Sequence, residues 1–251
     1  MVRMLWTDLR RLFGDYHIYV CMAGLGILYL VTYLETFADI PESNITNIFH
    51  LITEGTEILL LAFLLCIVGG SFLYCADEKH GYMKFEIQRI GVGAFTICKL
   101  LTSFLGGFLT VIGGNSIFLV GVLLHKFFVI GSVPFKDPYI VMELVWLFTA
   151  LRCGVLSAIG FLVTTYVTNF YIAMTIPLLL YYGILQVEGW FSYFFPWFPN
   201  GLFFSSIYHR AKYGFETEQQ RYLFALLYTA CIFVVMYRMA KKRIVRRLEH
   251  G

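Results

Sequence analysis

The hydrophobic residues of this chain fall into long runs that are separated by short polar segments. Six of these runs approach or reach the roughly 17–25 residues that an α-helix needs to cross the hydrocarbon core of a bilayer. The predicted spans are 18–34, 57–76, 99–124, 144–167, 170–187 and 222–239. The pattern therefore predicts an all-α polytopic membrane protein with six transmembrane helices in a single transmembrane domain, residues 1–251.

The segment before the first span, residues 1–15, has the pattern of an amphipathic helix. One side is apolar and the other is mostly charged: Leu5, Leu9, Leu12, Phe13 and Tyr16 against Arg3, Asp8, Arg10 and Arg11. We expect this interfacial helix to lie on the membrane surface, with its apolar side in the headgroup layer and its arginines towards anionic lipid.

The composition excludes several classes of protein. Apolar residues make up 59% of the chain and charged residues only 14%, whereas soluble domains contain about 45–50% and about 25% respectively. Six spans leave no room for a separate soluble ATPase or kinase domain. The net charge of +3 gives no support for a nucleic-acid partner.

Lysine and arginine concentrate in three segments, and this distribution predicts the orientation of the chain. The N-terminal segment, the stretch 77–99 and the tail after span six carry them, whereas the loop after span one, which contains Asn44, has none. By the positive-inside rule, both termini of this multi-pass protein are expected to be in the cytoplasm and Asn44 outside, in the cell membrane.

Catalytic signatures are missing from the sequence. It contains no metalloprotease motif, no nucleophile elbow and no phosphate-binding loop. The six histidines occur singly and the six cysteines form no Cys-x-x-Cys pair, so we interpret them as interfacial and packing residues. We predict no catalytic residue, no metal site and no cofactor in this chain, which by itself is not an enzyme.

The segment 188–208 is too interrupted to cross a bilayer and too aromatic to lie in water. It contains two prolines, two glycines, two tryptophans and six phenylalanines. A re-entrant pair of short helices before span six satisfies both constraints. An aromatic belt at the membrane interface is the alternative.

Two polar residues lie deep inside predicted spans. Arg152 in span four must face protein or a wet cavity, because a buried unpaired charge is expensive in a bilayer. Structural pairing, with Glu54 or Glu57 near the outer end of span two, and a role in a substrate pathway are both open. Asn115 in span three has the same two interpretations, of which a hydrogen bond between helices is favoured.

The stretch 76–99, between spans two and three, is the most informative in the chain. Asp77 is a good N-cap and Glu78 suits the first turn of a helix. Met83, Ile87 and Ile90 then form an apolar stripe. We predict a short amphipathic cytoplasmic helix, 77–91, lying across the ends of the two spans. An ordinary solvated linker is the alternative.

This stretch resembles the coupling helix in membrane subunits of type-2 ATP-binding cassette (ABC) exporters. The resemblance rests on an acidic pair, then a glycine, apolar residues, a basic residue and a lysine that opens the next span: Asp77, Glu78, Gly81, Tyr82, Met83, Arg89 and Lys99. The surface helix, six spans and re-entrant segment extend the resemblance to the whole chain. Gly91 and Gly93 stand where the family often has a proline.

The resemblance implies a permease that moves a hydrophobic or amphipathic substrate, such as a peptide, a lipid-like molecule or a drug. Two copies, or one copy and a related permease, would form a dimer, and two separate ABC ATPase subunits would bind and hydrolyse ATP with Mg²⁺. The coupling residues implied are Glu78, Gly81, Tyr82, Met83, Ile87 and Arg89, with the apolar stripe in a groove on the ATPase. A non-transporting membrane scaffold or immunity protein is the alternative function.

Overall fold

The computed structural model describes residues 2–37, 48, 52, 56–79, 81–130, 149–167, 169, 171–172, 174–183 and 218–250, and nearly all of them are helical. The helices are α1 (Val2–Gly14), α2 (Tyr16–Phe37), α3 (Thr56–Lys79), α4 (Tyr82–Ile90), α5 (Val92–Ile130), α6 (Thr149–Tyr166), α7 (Met174–Gly183) and α8 (Glu218–His250). The prediction of an all-helical architecture is confirmed for these residues.

Three of the described helices are long and apolar enough to cross a membrane: Tyr16–Thr36, Val92–Val129 and Thr149–Tyr166. Large apolar side chains such as Val20, Ile27 and Val31 are exposed on α2. Because water would penalise such a surface and lipid would not, the protein is embedded in a membrane. The re-entrant segment 188–208 and the predicted external loop with Asn44 lie outside the described residues.

Helix α5 is the centre of the bundle, since it packs against α2, α3 and α6. It runs parallel to α2: Ile117 lies beside Gly26, and the Tyr33 hydroxyl is 3.0 Å from Nδ1 of His125. A Cβ added at Gly121 would clash with Leu30, 2.3 Å away. Glycines therefore let the two helices approach closely, as in other membrane bundles.

Helices α3 and α6 both run antiparallel to α5, and the three meet at a contact of small residues. A Cβ added at Gly70 would lie 1.8 Å from Ser157 Oγ, and one at Gly107 would lie 2.7 Å from the Cys153 carbonyl oxygen. The Ser103 and Ser157 hydroxyls each donate to the other residue's carbonyl oxygen at 2.8 Å. Buried hydrogen bonds thus join α5 to α6 where no bulky side chain fits.

These helix directions bring five elements to one end of the bundle. Helix α1, the end of α3, helix α4, the start of α5 and the C-terminal part of α8 meet there. We call this the charged end, because it contains the ion pairs described below. Both described ends of the chain therefore lie on the same side of the bundle, as six spans, or any even number, require.

Several predicted boundaries are corrected by the structure. Asp77 and Glu78 belong to the last turn of α3, so Asp77 is not an N-cap; α4 begins after Gly81, which adopts φ 73°. Lys99 does not open α5, which starts at Val92, two turns earlier. The chain bends at Gly91, whose φ of 82° suits glycine, and Phe95 N–H donates to its carbonyl oxygen at 3.1 Å.

Candidate functional site

The charged end contains a buried network of five side chains from four helices. Asp8 and Arg11 come from α1, Asp77 from α3, Glu86 from α4 and Lys99 from α5. Lys99 Nζ is at the centre: it lies 2.6 Å from Asp77 Oδ2, 3.0 Å from Asp8 Oδ1 and 3.1 Å from Glu86 Oε2. The Lys99 side chain is 3% exposed and that of Asp77 is fully buried.

Arg11 completes the network from the solvent side. Its Nη2 donates to Asp77 Oδ1 at 2.6 Å, so both oxygens of Asp77 are bound by cations. The hydrogen bond to Asp77 raises the pKa of the Arg11 guanidinium above its usual value. Helix α1 is thereby attached to α3 and α5 by charge-assisted hydrogen bonds, the stronger kind in proteins.

Two carboxyl groups of the network bind protons more tightly than free ones. Burial raises the pKa of Asp8 more than Lys99 lowers it, and burial likewise raises the pKa of Glu86. The network holds three carboxyl groups against two cations, so with every group ionised it carries one excess negative charge. Burial is the main cause of the raised pKa of both groups, and repulsion from the neighbouring carboxylate of Asp77 adds to it.

Asp8, Asp77 and Glu86 are also the group of described residues whose oxygens lie close enough together to hold a metal ion. The Lys99 ammonium is within 3.1 Å of all three carboxylates. A metal ion would have to displace it, because two cations cannot share this position without strong repulsion. The arrangement is therefore that of an internal salt bridge.

The interfacial helix α1 is oriented differently from the prediction. Leu12 is buried and packs with Leu9 against Ile18 and Met22, and Asp8 faces the network. The exposed apolar residues of α1 are Val2, Trp6 and Phe13, at 79%, 69% and 48% exposure, and of these only Phe13 was on the predicted apolar side. The expected division into an apolar side in the headgroup layer and a charged outer side is wrong for Leu12 and Asp8, which are buried, because Lys99 binds Asp8 inside the bundle. Arg3 and Arg10 are exposed as expected.

The apolar stripe of α4 also faces inwards. Met83 and Ile87 are 9% and 6% exposed, and they pack in a cluster with Tyr74, Phe95, Leu100, Phe161, Met236, Ala240 and Ile244. The Tyr74 hydroxyl donates to Met83 Sδ at 3.3 Å. The prediction that this stripe fills a groove on a partner is thus corrected: the chain itself buries it.

A different stripe of α4 is exposed. Tyr82 and Phe85 are 57% and 73% exposed, and Arg89 is exposed beside them. The spacing i, i+3, i+7 places these three residues on one face of the helix. We call Tyr82, Phe85 and Arg89 the outer face of α4. Two exposed aromatic rings on one short charged helix are the kind of surface that marks a contact site.

The remaining predicted site residues are spread over two regions. Glu78 pairs with Arg247, which joins α3 to α8 at the charged end, and Gly81 provides the turn between α3 and α4. Asn115 is fully buried in α5, and Arg152 is buried in α6. Arg152 interacts electrostatically with Tyr29 of α2. Its predicted partners Glu54 and Glu57 are not among the side chains that the structure describes.

Asp8, Arg11 and Glu86 were not identified as site residues from the sequence. The sequence feature that could have indicated them is Lys99, because a lysine two turns inside an apolar helix needs buried anionic partners. Asp8 and Arg11, at i, i+3 on an amphipathic helix, are typical of a solvated ion pair. Their position in the sequence alone therefore did not indicate that they belong to a buried network.

Comparisons with protein-family models, with curated proteins and with solved structures gave no match for this chain. The functional interpretation therefore depends on the geometry of the charged end and the exposed surface of α4.

Proposed function

We propose that the protein is the permease subunit of a type-2 ABC exporter, and that the outer face of α4 is where a separate ABC ATPase binds. The observation that carries the proposal is this exposed aromatic face on a helix whose opposite face is buried in its own bundle. A coupling element needs both properties: a surface for the motor protein and a rigid connection to the spans.

The rigid connection is supplied by the buried contacts of α4. Met83 and Ile87 fix it to the hydrophobic cluster, and Glu86 fixes it to Lys99 of the central helix α5. A displacement of α4 is therefore passed directly to α5, the helix that contacts most of the bundle. ATP-driven closure of two ATPase subunits would move α4 in each permease of the dimer and open a path between the permeases.

The membrane arrangement follows from the same proposal. The chain has six spans, with the charged end, α4 and both termini in the cytoplasm, where positively charged segments are retained. The substrate is hydrophobic or amphipathic, such as a peptide, a lipid-like molecule or a drug, because the spans that the structure describes offer no cage of fixed charges. Arg152 and Asn115 are the buried polar residues proposed to line its pathway.

The test is copurification of an ABC ATPase from native membranes with variants of α4. Phe85→Glu and Tyr82→Glu should abolish association, since a carboxylate replaces an aromatic contact on the docking face. Lys84→Glu, on another exposed side of the same helix, is the matched control and should retain the partner. Loss of the partner in all three variants, or in none, would contradict the assignment of the outer face.

If the protein is instead a non-transporting membrane scaffold, a different result is expected. It would insert in the membrane normally, yet no ATP-hydrolysing partner would copurify with the wild type. Wild-type vesicles that show no ATP-dependent substrate movement although the ATPase is present would equally contradict the exporter proposal.

A further inference from the structure

A groove lies between α1 and α4 at the charged end. Its volume is about 380 Å³, within the lower part of the range of about 300–1,000 Å³ for small-molecule sites. The lining combines opposite charges: the exposed arginines Arg3 and Arg89 and the acidic residues Asp8 and Glu86. A ligand that matches this lining must itself carry both a negative and a positive group.

The acidic part of the groove has an unused acceptor. Asp8 is 2% exposed and its Oδ1 binds Lys99, but its Oδ2 is buried and accepts no hydrogen bond. Glu86, beside it, belongs to the same network, which carries one excess negative charge when all its groups are ionised. A ligand ammonium with N–H donors would satisfy the orphan oxygen and neutralise that charge.

The basic part of the groove suits a phosphate. Arg3 and Arg89 come from different helices, and both line the same groove. Arginine presents a planar set of donors that matches phosphate oxygens. Phosphate and primary ammonium together describe a phosphoethanolamine group.

The position of the groove indicates the source of such a group. Helix α1 precedes the candidate span in α2 with only Asp15 between them, and it exposes Val2, Trp6 and Phe13 on one stripe. A tryptophan with apolar neighbours is typical of the membrane interface. Because α1 carries this interfacial stripe, the groove on the other side of the same helix lies within reach of lipid headgroups.

From these observations we propose that the groove between α1 and α4 binds the headgroup of an aminophospholipid, a phosphatidylethanolamine, with the phosphate on Arg3 and Arg89 and the ammonium at Asp8 and Glu86. The bound lipid would join the interfacial helix to α4. This inference requires only that the protein lies in a membrane, and its tests use the purified chain without an ATPase; Arg89 is the one residue that it shares with the outer face of α4.

Native mass spectrometry of the purified full-length chain in detergent tests the proposal with three lipids of equal acyl chains: phosphatidylethanolamine, phosphatidylcholine and phosphatidylglycerol. Phosphatidylethanolamine should be retained about tenfold better than phosphatidylcholine, whose ammonium has no N–H to donate, as expected for a hydrogen bond to a charged group. Equal retention of these two lipids by the wild type would overturn the proposal.

Variants separate the two halves of the site. Arg3→Gln/Arg89→Gln should lose the retained lipid, whereas Arg10→Gln, exposed on α1 but outside the groove lining, should behave as the wild type. Asp8→Asn should remove the preference for phosphatidylethanolamine over phosphatidylcholine. An Arg3→Gln/Arg89→Gln variant that unfolds at the wild-type temperature and still shows the full preference would refute the assignment.

Free O-phosphoethanolamine distinguishes a lipid from a soluble ligand. It should displace bound phosphatidylethanolamine only at much higher concentration, because it has no acyl chains to partition into the micelle beside α1. Displacement at equal concentration would mean that the site takes a soluble ligand, and would overturn the lipid assignment.

Discussion

Replacement of Lys99 by methionine is the sharpest perturbation of the charged end. Methionine preserves most of the length of the side chain and removes the ammonium that lies 2.6 Å from Asp77 and 3.0 Å from Asp8. Both carboxylates are buried, so neither gains water in exchange. The substitution therefore leaves excess negative charge in an environment that solvates it poorly.

The magnitude follows from the burial of the partners. Removing one member of a buried ion pair destabilises a protein by about 3–5 kcal/mol. Arg11 still binds Asp77 Oδ1 in the variant, so we expect the lower end, about 3 kcal/mol of unfolding free energy. Arg11 is 39% exposed on its side chain, and its pairing is therefore partly screened by solvent and cannot compensate fully.

Reversible unfolding by sodium dodecyl sulfate in mixed micelles measures this difference. Lys84→Met, an exposed lysine on α4, is the matched control and should change stability by no more than about 0.5 kcal/mol. Adding Asp8→Asn to Lys99→Met should recover part of the loss, because one of the stranded charges is removed. A loss below about 1 kcal/mol for Lys99→Met would show that the ammonium does not hold the network together.

Two further predictions concern the network's protons and the small-residue contact. Because burial raises the pKa of Asp8 above 3.8, the folded chain binds the proton of the Asp8 carboxyl group more tightly than the unfolded chain does. The stability that the wild type gains from this proton is lost as pH rises through the raised pKa. The stability of Asp8→Asn relative to the wild type should therefore increase between about pH 4 and neutral pH in the same unfolding assay, and a constant difference would contradict the raised pKa. Gly70→Ala should destabilise the bundle by about 1–3 kcal/mol, because its Cβ would clash with Ser157 of α6 and with the Ser103 carbonyl oxygen of α5. Gly183→Ala, where a Cβ meets nothing within 4 Å, should not. Equal effects of the two substitutions would refute the close contact of α3 with α5 and α6.

The helical architecture could be predicted from the sequence because hydrophobic runs are a local property. The predicted first span, 18–34, lies within α2, Tyr16–Phe37, and a short helix does follow α3. The bend before α5 occurs at Gly91, one of the two glycines noted in the sequence. Each of these features depends on residues that are neighbours in the chain.

The orientation of each face could not be predicted in the same way. From the sequence, the stripe of Met83 and Ile87 could pack either in a partner's groove or against its own bundle. The structure shows that it packs against its own bundle, in a cluster with Phe95 and Met236. Aspartate is favoured at helix N-caps, which is why the sequence suggested that role for Asp77. Its partners Arg11 and Lys99 are distant in sequence, and they place Asp77 inside a network. Such pairings depend on the packing of four helices, which no local pattern encodes.

The most direct test of the central claim, that α4 presents its outer face to an ABC ATPase, is site-specific photo-crosslinking in native membranes. A photoreactive phenylalanine analogue at Phe85, which is 73% exposed, should form an adduct with a protein that carries a phosphate-binding loop and hydrolyses ATP. The same analogue at Phe95, which is fully buried, should crosslink only within the chain. An adduct from position 85 that contains lipid or another copy of the permease, with no ATPase, would contradict the account.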